Sequence, residues 1–222
     1  MSFQDKLLDS FIAFEQVIDL NNPVHTVRKN ALKRFESDGF PTKKDELWKY
    51  TSLKSIIQKD YSLSVKSNPN VGLKDIEKYS INDIDSYKIV FVDGVFNPFL
   101  SNTTHDGMDI CVLSAALSKT KYKKTITKYF NKIVPDDQSL ASLNTSYTKE
   151  GAYIHIPKSV LPEDPVQILH FSSGKNKPLW LQPRNIIIVE ENARVEIIER
   201  HQSLRSHDGA INSLTEIYAE KN

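Results

Sequence analysis

Apolar residues near the start of the chain recur at intervals of three and four, which is the spacing of one face of an α-helix. The series is Phe3, Leu7, Phe11, Phe14 and Ile18. This spacing predicts an amphipathic helix as the first element. A second helix is predicted after Asn22 and Pro23, because asparagine can cap free amides and proline lacks the amide hydrogen that a first turn leaves unpaired. Gly39 supplies the stop signal for this second helix.

A third, shorter helix is predicted after Thr42 and Asp45, which have the spacing of a capping box. It would contain Leu47, Trp48 and Tyr50. About the first 60 residues are therefore predicted to be helical. The polar stretch at 60–72, with Asn-Pro-Asn at its centre, is typical of a loop.

The middle of the chain predicts a hairpin and a surface helix. The run YKIVFV at 87–92 favours a strand, and Asp93-Gly94 tolerates the positive φ of a tight turn before a short return strand. Further along, apolar residues at helical spacing alternate with lysines between positions 122 and 133.

Short β-branched runs dominate the chain after Gly151. They are AYIHI, VQILHF, NIIIV, ARVEIIE and LTEIYA. In the fourth run Ala193, Val195 and Ile197 alternate with charged residues, which is the period of a strand with one buried face. Many short strands without intervening helices fit a sandwich, a barrel or a parallel β-helix, and the pattern alone does not choose among them.

The charge of the chain is nearly balanced, with 29 Lys and Arg residues against 28 Asp and Glu residues. Such a balance gives no bulk field that would draw the chain onto nucleic acid or an acidic membrane. No stretch approaches the ~20 apolar residues that cross a bilayer, and the N-terminus lacks the apolar run of a secretory signal. We therefore expect a cytoplasmic protein without a nucleic-acid or membrane partner.

Sequence motifs for autonomous chemistry are missing. The seven glycines are too scattered for a P-loop or a G-x-G-x-x-G fingerprint. No G-x-S-x-G elbow occurs, and Cys111 has no basic neighbour in sequence that would favour a thiolate, so a buried, unreactive thiol is expected. The sequence therefore provides no candidate catalytic residue.

The histidines give one weak indication of metal binding, at Glu199, His201 and His207. Residues two apart on a strand point to the same side and can share a metal ion. A solvated strand edge has the same appearance, and nothing in the sequence fixes His207 relative to the other two. We therefore assign neither a metal ligand nor a cofactor-binding residue. His155 and His170 lie singly in apolar runs, which is typical of hydrogen-bonded structural histidines.

Four stretches in order resemble the SufB/SufD family of iron-sulfur cluster assembly proteins. They are FPTKKDELWKYTSL at 40–53, FVDGVFNPFLS at 91–101, SLNTSYTKEGAYIHIPK at 142–158 and PRNIIIVEENARVEIIERHQSL at 183–204. They spread over most of the chain, and their combination is far more specific than any one of them. The helical region that leads to Trp-Lys-Tyr, together with the Leu-Asn-Thr segment, favours the SufD branch over its paralogue SufB.

This resemblance implies an α+β fold in which a helical N-terminal domain precedes the beginning of a right-handed parallel β-helix. The implied division is a helical N-terminal domain with its linker at 1–72, a mixed α/β transition segment at 73–150 and the first part of the β-helix core at 151–222. The implied function is that of a non-catalytic scaffold subunit in a complex with SufB and SufC. SufC would supply the ATPase activity, and the complex, rather than this chain, would hold the iron-sulfur cluster transiently.

Family members are longer than this chain, so the resemblance also implies an N-terminal fragment. The later coils, the SufC-docking region and the family's functional histidine near the cluster site are then expected beyond Asn222. That role is not transferred to His201 or His207. An uncapped apolar end of a β-helix would favour self-association.

Two other functions remain open on the sequence. A polysaccharide-processing β-helix enzyme needs grouped carboxylates or calcium ligands, whereas the acidic residues here are dispersed. A small-molecule or carbohydrate-binding module would use a pocket between the helical and β parts. Trp48 or Trp180 would be its anchor, although single tryptophans are more often core or interface residues.

Overall fold

The computed structural model describes residues 1–63, 70–79, 81, 84–105, 107–174 and 177–221. The middle of the loop predicted at 60–72 lies outside these ranges. None of the helices in the described ranges is long and apolar enough to cross a membrane.

Both predicted N-terminal helices are present, as α1 (Phe3–Glu15) and α2 (Val24–Asp38). At the start of α1 the Asp5 amide donates to the Ser2 hydroxyl and the Ser2 amide donates to the Asp5 carboxylate, which forms a capping box. At α2 the Asn22 side chain accepts a hydrogen bond from the Val24 amide at 3.0 Å. Gly39 ends α2 with a φ of 67°. The start and stop signals of the second helix are thereby confirmed.

The third predicted helix is reduced to a single 3-10 turn, Glu46–Trp48, followed by the four-residue α3 (Lys54–Ile57). Thr42 and Asp45 do hydrogen-bond to each other as the spacing predicted. However, Leu47 and Tyr50 are 75% and 90% exposed. A helix this short needs a packed apolar face to persist, and here that face is in solvent.

The middle of the chain contains the predicted hairpin. Its strands are β1 (Tyr87–Val92) and β2 (Val95–Phe96), and Asp93 and Gly94 both have positive φ, at 51° and 78°. The predicted surface helix is also confirmed, although it ends at residue 129. The other elements are α4 (Leu73–Ile76), a 3-10 turn (Glu77–Tyr79), β3 (Asp109–Val112), α5 (Leu113–Ser118), α6 (Thr120–Tyr129) and α7 (Ser139–Ser146).

The last third of the chain is built of strands, as predicted. They are β4 (Ala152–Ile156), β5 (Val166–Ser172), β6 (Trp180–Leu181), β7 (Arg184–Val189), β8 (Ile197–Ser203), β9 (Ala210–Ile211) and β10 (Leu214–Ala219). The run ARVEIIE enters a strand only at Ile197. Ala193 is nevertheless buried, and Val195 and Ile197 pack against the same core, so the predicted inward row is confirmed.

Strands that are distant in sequence pair in parallel. β7 lies beside β4, β8 beside β5, β9 beside β6 and β10 beside β7. The strands β4, β5 and β6 are thus followed, about thirty residues later, by β7, β8 and β9, and each of these pairs with its counterpart in the first set. The sheets have the orders β2-β1-β5-β8, β10-β7-β4-β3 and β6-β9. The fold is a mixed α+β arrangement with parallel pairing as its repeating feature, and the three-segment division stays a prediction.

The main apolar core joins the two four-stranded sheets. Ile89, Ile154, Ile168 and Ile187 are 1% exposed or less and belong to this core. The other face of the β7-containing sheet packs against α5 and α6, and the other face of the β5-containing sheet packs against α4. The inner strands of the two four-stranded sheets are therefore covered on both faces, which explains why β5 and β7 read as nearly continuous apolar runs.

Candidate functional site

Three rings stack across neighbouring strands at one position of the β5-containing sheet. Phe91 on β1 is opposite His170 on β5, and His170 is opposite His201 on β8. The Phe91 and His170 ring centroids are 4.8 Å apart. The two imidazole centroids are 4.6 Å apart, and their ring planes are nearly parallel, with an interplanar angle of 4°. Strand spacing in a sheet is about 4.8 Å, so the register itself produces this stack.

His170 is the buried member of the stack, with 5% of its surface exposed. Its Nε2 atom has no hydrogen-bond partner within the described part of the chain. Burial, followed by the proximity of His201, lowers the pKa of His170 to about 3. The imidazole is therefore neutral near pH 7 and keeps a lone pair available.

Glu199 lies on the same side of β8 as His201, and His201 Nε2 is 2.9 Å from Glu199 Oε1. Thr215 and Ser213 donate hydrogen bonds to the two carboxylate oxygens at 3.0 and 3.3 Å. Burial acts to raise the pKa of Glu199, but the hydrogen bonds from His201 and Thr215 outweigh it, and the pKa falls to about 2. The carboxylate is held ionised and oriented.

His170, Glu199 and His201 form a group whose potential ligand atoms all lie within 4.8 Å of one another. This arrangement corrects the grouping suggested by the sequence. Glu199 and His201 do come together, but the third member is His170, and His207 lies against Gly174 with its Nδ1 atom 2.9 Å from the Arg205 carbonyl oxygen. The signal for His170 is its register with His201, which a single strand does not encode.

A cavity of about 600 Å³ adjoins this group. His170 and Phe91 form part of its wall, together with Leu7 and Phe14 from α1 and Trp180 from β6. Lys149 and Glu150 are its charged lining residues. Burial raises the pKa of Glu150, to which Ser114 donates a hydrogen bond at 3.0 Å. The cavity is mostly apolar with a few polar groups, which is typical of small-molecule pockets.

The two tryptophans have different surroundings. Trp180 is 7% exposed and packs among Phe3, Phe40 and Tyr61, with ring centroids 5.1 to 6.0 Å apart. Trp48 is only partly buried and does not line the cavity. Of the two candidate platforms, the structure places only Trp180 at the pocket.

The other residues considered in the sequence are His155, His170 and Cys111, and their surroundings test the roles predicted for them. His155 Nε2 is 2.9 Å from Glu190 Oε1, so the prediction of a hydrogen-bonded histidine is confirmed there. For His170 no residue that the structure describes provides the predicted hydrogen bond at Nε2. Cys111 is half-buried and not fully buried as predicted, but burial raises the pKa of its thiol to about 11, which agrees with the predicted unreactive thiol.

Sequence analysis missed a buried charge pair between Arg184 and Glu216. Their side chains are 0% and 1% exposed, and Arg184 Nη2 lies 2.5 Å from Glu216 Oε1. Arg184 also donates to Asn144, Thr145 and Asn131 at 3.0 to 3.3 Å. Burial lowers the pKa of Arg184, and the Glu216 carboxylate opposes that shift. This network joins α7 to the strands β7 and β10.

Comparison with known proteins gives consistent matches. The family model for the SufBD protein N-terminal region matches residues 1–168. An iron-sulfur cluster assembly SufBD family protein of Synechocystis sp. is 25% identical over 180 residues, which are 81% of this chain and 39% of that protein. The iron-sulfur cluster assembly protein SufD of Escherichia coli is 24% identical over 179 residues, 78% of this chain and 38% of that protein.

SufD of Bacillus subtilis is 25% identical over 114 residues, which are 50% of this chain and 25% of that protein. The chain thus spans no more than about two fifths of the length of these relatives. The family match ends before His170, so the group of His170, Glu199 and His201 lies outside it.

Proposed function

This chain belongs to the SufB/SufD family of iron-sulfur cluster assembly as a SufD-like member, and from that premise we propose that it is a non-catalytic scaffold subunit. In this proposal it works in the cytoplasm with homologues of SufB and SufC. The SufC homologue supplies the ATPase activity, and the complex holds the iron-sulfur cluster transiently.

We also propose that the paired strands are the first coils of a right-handed parallel β-helix. The observation that supports this is the register, in which β4, β5 and β6 are each followed in parallel by β7, β8 and β9. Stacked coils hydrogen-bond to each other along every sheet, so they form a rigid body suited to holding partners in place. Among the described residues β8 and β10 are the outer strands of their sheets, so the next strand to pair would be added there.

The surroundings of the ionisable groups also favour a framework. Arg184 and Glu216 neutralise each other in the interior, and the Cys111 thiol is shielded from ionisation. Groups in such environments fix the packing of elements and are poor nucleophiles or proton carriers at neutral pH.

Co-purification tests the scaffold proposal. The native gene is tagged at its own locus, so that everything the gene encodes is retained. We expect SufB and SufC homologues to be recovered under gentle conditions and ATPase activity to follow the SufC homologue, with no ATP turnover by the purified chain alone. A Gly151→Ala variant, which should be strongly destabilised, serves as the negative control, and Gly72→Ala as its matched partner. Recovery of neither homologue contradicts the proposal.

The cavity supports a second candidate function, the binding of a small apolar molecule. Trp48→Phe leaves Trp180 as the single tryptophan, and Trp180→Phe leaves Trp48, which does not line the cavity. With anilinonaphthalene sulfonate as probe, we expect saturable quenching of tryptophan fluorescence in the first variant and none in the second. A flat titration of the Trp48→Phe variant would remove this candidate.

A further inference from the structure

We infer that His170, Glu199 and His201 form a binding site for one divalent transition-metal ion, of the class that takes imidazole and carboxylate ligands, such as Fe²⁺ or Zn²⁺. Two imidazoles and one carboxylate match this donor set, and three protein ligands leave a coordination position open. The inference rests on these side chains alone and holds whether or not the chain acts as a scaffold.

The spacing of the three side chains suits a single ion. Their candidate ligand atoms lie within 4.8 Å of one another, and His201 Nε2 is already 2.9 Å from Glu199 Oε1. Metal–ligand distances of 2.0–2.1 Å place ligands of a tetrahedral ion about 3.3 Å apart. The two imidazoles, whose centroids are 4.6 Å apart, would therefore tilt toward the ion. This adjustment needs side-chain torsions and leaves the paired backbones of β5 and β8 in place.

Neighbouring groups hold the ligands in position. Phe91 stacks on the face of His170 opposite His201 and limits rotation of that ring. Thr215 and Ser213 donate to Glu199, so the carboxylate is oriented by residues that are not themselves ligands. Such outer hydrogen bonds are a regular feature of protein metal sites.

The unpartnered Nε2 atom of His170 gives the second, independent observation. This nitrogen is buried and receives no hydrogen bond from the residues that the structure describes. A buried polar atom without a partner is unfavourable, and such atoms call for an explanation. A metal ion bound there supplies the missing partner. Access is available because the side chains of His201 and Glu199 are 31% and 25% exposed and His170 borders the cavity.

Metal titration of the full chain, Met1–Asn222, tests the site. Isothermal titration calorimetry would use metal-free protein with Zn²⁺, and with Fe²⁺ under anaerobic conditions. Three variants each remove one ligand: Glu199→Gln, His201→Ala and His170→Phe. Phenylalanine at 170 keeps a stacked ring between Phe91 and His201. His207→Ala is the matched control, because it removes the histidine that the sequence grouped with Glu199 and His201.

We expect one ion per chain in the unmodified protein and in His207→Ala, with affinity about tenfold or more weaker in each ligand variant. Circular dichroism and thermal unfolding without metal establish that the variants are folded. Added metal should raise the Tm of the unmodified protein and of His207→Ala, and raise it less in the ligand variants. Absence of one-to-one binding by the unmodified protein overturns the inference. So does equal weakening by His207→Ala, or unchanged affinity in folded Glu199→Gln and His201→Ala.

Discussion

Gly151 sets how closely β4 and β7 approach each other. Its φ is 143°, and a Cβ at this position would lie 1.9 Å from the Arg184 carbonyl oxygen. An L side chain is therefore excluded by both backbone conformation and contact. We expect Gly151→Ala to lower the free energy of unfolding by about 3 kcal/mol or more, measured by urea denaturation.

Gly72→Ala is the control for this substitution. A Cβ at position 72 meets no atom of the described residues within 4 Å, and the φ of −118° is open to any residue. We expect a change within about 1 kcal/mol, of either sign. Equal destabilisation by the two substitutions would contradict the role given to Gly151.

The Arg184–Glu216 pair supports a second prediction for single residues. Glu216→Gln leaves a buried guanidinium without its counter-charge, so the free energy of unfolding should fall by about 3 kcal/mol. Glu191→Gln is the control, because Glu191 pairs with Lys158 at 2.7 Å where both side chains are about half exposed. That change should be below about 1 kcal/mol. Chemical denaturation of both variants measures the difference, and similar values would show that the buried pair contributes little.

The burial of Arg184 marks the limit of prediction for single residues. In sequence, an arginine ahead of an apolar run is typical of a strand entrance near solvent. Its neutralising partner on β10 and its amide and hydroxyl partners Asn131, Asn144 and Thr145 come from distant parts of the chain. Local patterning does not encode such a set, because each member is unremarkable alone.

The hairpin β1-β2 gives a prediction for an element. Asp93 has positive φ and is 1% exposed, and its carboxylate accepts hydrogen bonds from the amide and hydroxyl of Ser173 at 2.8 and 2.6 Å. Asp93→Ala removes these acceptors and places alanine in the left-handed region. We expect a loss of about 2 kcal/mol in unfolding free energy and faster amide hydrogen exchange in β2.

Asp93→Asn is the conservative control for this substitution. Asparagine tolerates left-handed backbone and keeps one acceptor oxygen, so its loss should be clearly smaller than that of the alanine variant. If the two variants are equally destabilised, neither the lost acceptor for Ser173 nor the left-handed backbone explains the effect of Asp93→Ala.

At the scale of elements, periodicity predicted which segments form helices and strands but not which strands pair. The three- and four-residue spacing located α1, and Asp93-Gly94 located the hairpin turn. The run at 193–199 enters its strand late because β5, its partner, begins pairing at Val166 opposite Ile197. Residues 193–196 instead form the corner, where the Arg194 amide donates to the Val160 carbonyl oxygen.

The same limit on predicting strand pairing applies to the candidate metal site. Period two placed Glu199 and His201 on one side of β8, and the structure agrees. The addition of His170 depends on the pairing of β5 with β8, which lies outside the information in either run. Sequence proximity suggested His207 instead, but a turn separates it from the face of β8.

For the whole molecule, the open edges of the sheets predict self-association. Strands β8 and β10 end their sheets, and Ile217 and Ile211 near this end are 56% and 39% exposed. Unprotected edges beside apolar side chains favour pairing with another copy. We expect light scattering to show oligomers of the 222-residue chain that grow with concentration.

Ile217→Lys should shift this equilibrium toward monomer, because a charge at the edge opposes pairing. Ile12→Lys is the control, since Ile12 is 69% exposed but belongs to the helix α1 and not to an edge strand. A monodisperse monomer at high concentration, or an equal effect of both substitutions, contradicts edge pairing.

The stack of Phe91, His170 and His201 also has an evolutionary consequence. One residue added or lost within β1, β5 or β8 would turn a ring to the opposite side of its sheet and interrupt the stack. A change of length in a connecting segment such as 204–209 leaves the alternation of side chains within these strands unchanged. Gaps in alignments of relatives should therefore fall between strands. A homologue that lacks one of these rings should carry a changed residue at the paired position of the neighbouring strand.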